Sequence, residues 1–217
     1  ERMTTAVRKL ESARDQQTAG DDIDATINRL RRRAIEIGIQ IGVLSGETVN
    51  FKVANDEIQK LREDLRKAGA DDDAELHLWS GICYDKLGEW QSAASAFGRA
   101  VAVDPEMVEA WQRLMFLVQQ HSDDFNFRGV IPDANPDATP NEVAEVLGAK
   151  MVASGKPVYK AHLANAMFLQ NLAATTSDEK TQRRSLDAAV EQIRKSIEAL
   201  DKASAQPSES VKHAEEY

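Results

Sequence analysis

The residues of this chain that could ligate a metal or act as nucleophile and base are His77, His121, His162, His213 and Cys83. Metal-binding histidines and cysteines recur at short fixed intervals, and none of these stands at such an interval from another. His77 falls on a helical pattern, where a packed structural histidine is the plainer reading than a catalytic one. Asp133, Asn135 and Asp137 imitate the opening of a calcium loop. Ala138 replaces the glycine that such a loop needs, Pro136 intrudes, and Ala144 stands where the closing glutamate belongs. No glycine-rich phosphate loop, nucleophile elbow or His-Glu metalloprotease helix occurs. The sequence thus predicts neither catalytic residues nor a metal or other cofactor, and the expectation is a non-enzymatic protein.

Charge narrows the partners. The net charge of −9 argues against nucleic acid or an anionic membrane surface, both of which call for clustered Lys and Arg. One such cluster exists, Arg29 with Arg31, Arg32 and Arg33. Its members fan around a helical turn near Asp22 and Asp24, so a solvated helix face is favoured over a phosphate patch. A single cysteine excludes an intrachain disulfide, and Cys83 reads as a small buried hydrophobe. No apolar run approaches the roughly 20 residues of a membrane-spanning helix. Glu1 stands in place of an initiator Met, which is compatible with residues upstream, a removed signal peptide among them; compartment does not follow.

The elements that must position any site are mainly helical. Between Ala74 and Pro105 two amphipathic runs flank a break at Leu87-Gly88-Glu89. Small residues (Gly81, Ala93, Ala100) fall where two antiparallel helices must touch, and Tyr84, Leu87, Trp90 and Phe97 fill the remaining space. On these residues the stretch resembles the tetratricopeptide-repeat family, a helix–turn–helix unit of about 34 residues. His77, where the family often has an aromatic residue, and Ser80, where it usually has Leu, depart from the pattern. Partial repeats are expected at Met107–Gln120, on Trp111 and Leu114, and over the last two helices, on Ala166, Ala189 and Ile193.

Around this repeat the chain divides into a helix pair over 1–34, a distinct segment at 35–54, the repeat-like helices of 55–121, a long loop at 122–139, helices over 140–203 and a polar tail from 204. In the segment, Ile35, Ile37, Ile39, Ile41 and Val43 alternate with polar residues or glycine. After Ser45-Gly46-Glu47, Val49, Phe51 and Val53 do the same. Alternation in β-branched residues around a glycine turn predicts a β-hairpin, its apolar face packed on the chain's own helices or on another chain. The competing reading is a buried helix, in which Gly38 and Gly42 would each cost about 1 kcal/mol. Asn55-Asp56 can cap the next helix, whose stripe is Ile58, Leu61 and Leu65. Phe125, Phe127, Val130 and Ile131 give the long loop an apolar content that must pack on some surface. Thr139-Pro140-Asn141-Glu142 is a capping box opening a helix with Val143, Val146, Leu147 and Met151 on one face. In the final helix Ala189, Ile193, Ser196, Ile197 and Leu200 are expected to face inward.

The resemblance implies a binding style. In this family the first helices of successive repeats line a concave groove for a partner segment. By position, that face here is Glu75, Leu78, Ile82, Asp85 and Lys86, continued by Glu109, Gln112, Phe116 and Gln119. Lys86 alone matches the cationic positions with which some members grip a carboxylate, so a mixed groove for an amphipathic protein segment is expected, unless the chain's own loop covers it. The alternative is a structural subunit of a larger homo- or hetero-assembly, joined through the 35–53 hairpin by strand addition or oligomerisation.

Overall fold

The computed structural model describes residues 21–127 and 137–205. Eight helices occur among them: α1 Asp21–Ser45, α2 Thr48–Lys67, α3 Ala74–Leu87, α4 Trp90–Val103, α5 Val108–His121, α6 Pro140–Ser154, α7 Val158–Thr175 and α8 Glu179–Ala205. The fold is mainly α, built of sequence-adjacent helices packed in pairs, and it divides into two compact units, 1–103 and 104–217. None of the helices is long and apolar enough to cross a membrane. The helix expected before Asp21, the apolar loop residues Val130, Ile131, Pro132 and Pro136, the calcium-like Asp133 and Asn135, and the tail with His213 lie outside the described residues.

The β-hairpin expected at 35–53 is not formed, and the described residues contain no strand. The segment is the meeting of α1 and α2, turned at Gly46-Glu47 with Gly46 at φ +71°. The apolar alternation overlies a helical period that proves decisive. Ile27, Ile35 and Ile39 are buried on α1, and Phe51, Ala54, Ile58 and Leu61 on α2. The glycines that would weaken a lone helix are the points of closest approach: a Cβ on Gly42 would lie 2.8 Å from the Phe51 ring, and one on Gly38 3.6 Å from Ala54. Ile41, Val43, Val49 and Val53, expected on a shared strand face, are exposed, and Ile37 is half-buried. Asn55-Asp56 lies inside α2, whose N-cap is Glu47.

In the same unit, the two helices expected between Ala74 and Pro105 form, as α3 and α4. The Asp73 side chain caps α3 by accepting from the Leu76 amide, and Gly88, at φ +75°, ends it. Phe97 is fully buried over Gly81, with Ala93 and Ala100 closed off beside it. Tyr84, Leu87 and Trp90 are half-buried. The two residues that depart from the family pattern are buried polar groups with partners: His77 Nε2 lies 2.8 Å from Asp72 Oδ2, and the Ser80 hydroxyl accepts from Gln59 Nε2 at 3.2 Å. Both contacts reach beyond α3, to the 68–73 connection and to α2. Cys83 is fully buried, and burial pushes its thiol up to about 12.

The arginine cluster is not a solvated face throughout. Arg31 is buried and donates to Asp64 at 2.7 Å, Arg32 spans Asp73 and Glu75, and Arg33 pairs with Glu36, leaving Arg29 exposed. Carboxylates already engage Arg31, Arg32 and Arg33.

In the second unit α6 packs on α5, so a second helix does pair with the Met107–Gln120 run, after a long connection rather than a short turn. The capping box forms as expected: the Thr139 amide donates to Glu142 Oε2 at 2.8 Å and the Glu142 amide to Thr139 Oγ1 at 3.3 Å. Val143, Leu147 and Met151 are buried, whereas Val146 is exposed. Phe125 and Phe127 of the connection are buried edge to face, 6.4 Å apart. Helices α7 and α8 are antiparallel, since His162 meets Gln192, the Tyr159 carbonyl meets Ser196 and the Ala173 carbonyl meets Gln182. Ala189 and Ser196 face α7 as expected; Ile193, Ile197 and Leu200 do not, and are exposed.

Candidate functional site

The groove face expected from the resemblance is shared between the two units, and its halves differ. On α3, packed against α1, α2 and α4, Leu78 and Ile82 are buried, Asp85 is half-buried, and only Glu75 and Lys86 are exposed. Eight of the fourteen residues of this helix are buried, which leaves no open apolar strip on it. The face read as a groove there is core, and Glu75 is engaged by Arg32 at 3.1 Å.

On α5 the outcome is different. Glu109, Gln112 and Phe116 line an open trough of about 770 Å³ within the second unit. Its opposite wall is α7, which contributes Tyr159, Lys160, Leu163, Ala164 and Met167, with Lys156 and Pro157 at its mouth. The walls start side by side because the chain bridges in parallel between Met107 and Lys156, the Lys156 amide donating to the Glu106 carbonyl at 2.8 Å. Trp111 Nε1 donates to the Pro105 carbonyl at 2.9 Å and pins the entry to α5. Buried Gly148 of α6 lets Met115 and Asn165 close beneath: a Cβ there would lie 2.4 Å from Asn165 Oδ1. Gln119, a turn beyond Phe116, is outside the trough, and both polar atoms of its amide are buried without a hydrogen-bond partner among the described residues.

The trough is lined by apolar side chains together with a few charged ones. Leu163 and Met167 are about half exposed, 46% and 50%, and both line the concavity. Lys156 pairs with Glu106, and Arg113 donates to Glu109 at 2.9 Å. Lys160, exposed, forms no ion pair among the described residues. Of the lining residues, Arg113, Lys156 and Lys160 are cations against one carboxylate, Glu109, in a chain that is acidic as a whole. No lining residue is a cysteine, serine or histidine, and among the described residues no three His, Cys, Asp or Glu side chains converge as a metal site would require. Comparison with known families and with curated proteins finds no family model and no relative that matches this chain.

The α7 wall was not legible as a site in the sequence. Leu163 and Met167 belong to an apolar-rich helix whose face toward α8 and face toward the trough read alike until the packing separates them.

Proposed function

We propose that this protein is a non-enzymatic docking module, similar in binding style to tetratricopeptide-repeat proteins, and that the trough between α5 and α7 holds an amphipathic segment of a protein partner. The observation that carries this reading is the exposure of Leu163 and Met167 opposite Phe116 in a ready-made concavity. Burying the exposed half of each is worth about 1 kcal/mol. Lys160, without an ion pair among the described residues, favours an acidic residue beside the partner's apolar ones. A labelled amphipathic peptide, with leucines at helical spacing and glutamates between them, should bind the intact protein. Binding should weaken at least about tenfold, one lost anchor contact, with Leu163→Glu or Met167→Glu. The counterpart with lysine for glutamate should bind less well. Equal binding by wild type and both variants would remove the trough from consideration.

A role in a larger assembly keeps support from a second place, the α1–α2 turn, where Ile41, Val43, Leu44, Val49 and Val53 are all exposed. Strand addition is no part of that reading, because the segment is helical.

A further inference from the structure

Helix α8 buries one side on α7 through Ser185, Ala189 and Ser196, yet presents Leu186, Val190, Ile193, Ile197 and Leu200 to solvent, each 44–67% exposed. The intervals between these five are four, three, four and three residues, the repeat of a coiled-coil seam. Written as heptads, Leu186, Ile193 and Leu200 take the d positions and Val190 and Ile197 the a positions. Val190 and Ile197 at a with leucine at two of the three d positions is, for parallel helices, the pattern that favours two strands. From this geometry we infer that α8 is a homodimerisation helix, pairing in parallel and in register with α8 of a second copy of this chain.

Three observations commit the seam to that occupant. In-register parallel pairing stacks all five residues on their own counterparts, so one self-complementary surface suffices. An antiparallel pair must match a with d, and either register drops a leucine from the seam: one sets Leu200 against Arg183 of the second copy, the other sets Leu186 against Ser204. The flanks agree with the parallel arrangement. The g positions are the small residues Ala189 and Ser196, and the e-position Arg194 is held by Glu191 (2.7 Å) and Glu198 of its own helix, so no like charges face each other across the seam. The helix is already built and braced on α7, so pairing does not have to supply the ordering of a free peptide.

Sedimentation equilibrium of the intact chain should show a mass rising from 24.0 kDa toward twice that value over roughly a hundredfold range of concentration. The double substitution I193E/I197E should hold it at the monomer mass with unchanged helical circular dichroism. Because the I193E/I197E protein could fail by misfolding, Leu200→Cys is the second arm. Parallel pairing brings the two introduced thiols together, so mild oxidation should give a disulfide-linked dimer while buried Cys83 stays unreacted. A monomer at every concentration, a dimer indifferent to I193E/I197E, or a Leu200→Cys protein that does not cross-link to itself would each overturn the inference.

Discussion

Adding one methyl group at Gly81 tests the packing on which the first unit rests. A Cβ at that position would lie 2.4 Å from Cε1 and 2.5 Å from Cδ1 of Phe97, well inside contact distance. The ring has no free direction: it is 1% exposed, with fully buried Ala93 and Ala100 on its own helix. Overpacking of this kind costs about 1–3 kcal/mol, and the better helix propensity of alanine returns about 1 kcal/mol. The difference is about 0–2 kcal/mol, and because the Phe97 ring is enclosed Gly81→Ala should fall in its upper half, destabilising the unit by about 1–2 kcal/mol. For a unit of this size each kcal/mol moves the midpoint by roughly 4–8 °C, so thermal unfolding followed by circular dichroism should show a drop of roughly 5–15 °C. Phe97→Leu alone should also destabilise, by leaving a cavity. In the double variant the new methyl enters the space the ring vacated, so the two losses should fall short of additivity by at least about 0.5 kcal/mol. A Gly81→Ala protein that melts at or above the wild-type temperature, or strict additivity, would refute the argument.

Two further outcomes test the polar interior. The hydrogen bond from His77, aided by the charge of Arg62, holds the Asp72 carboxyl below its ordinary range. A depressed carboxylate contributes stability above its unfolded-state pKa and loses it as pH falls through the folded one. Urea midpoints between neutral pH and about pH 3 should thus fall less steeply for Asp72→Asn than for wild type, and an identical slope would count against the pairing. The Ser185 hydroxyl is buried on α8 with no hydrogen-bond partner among the described residues, so Ser185→Ala should leave stability unchanged or raise it by up to about 1 kcal/mol in chemical denaturation; a loss above about 1 kcal/mol would mean that the hydroxyl is satisfied.

Local chemistry carried much of the architecture. Asp73 and Thr139 begin helices and Gly88 and Gly155 end them because caps act over three or four residues and need no distant partner. The small-against-large pattern of Gly81 and Phe97 was likewise readable, since both partners lie within one helical hairpin. What alternation could not settle was whether Ile35–Val53 would extend or coil. Two periods were superimposed there, and the choice turned on Phe51 closing over Gly42, a contact that exists only once α1 and α2 have met. Leu78 and Leu163 make the same point about the site. Each is an aliphatic residue on a repeat-like first helix, yet one is buried on α3 and the other stands half exposed in the trough. Around Asp73, Gly88, Thr139 and Gly155 the sequence by itself determined where helices start and stop, because those signals are local, whereas the start of α2 at Thr48, ahead of the Asn55-Asp56 cap signal, was not legible. Which apolar faces became core and which stayed open, in the trough and along α8, was decided by the number of neighbours each helix acquired, and only tertiary packing assigns neighbours.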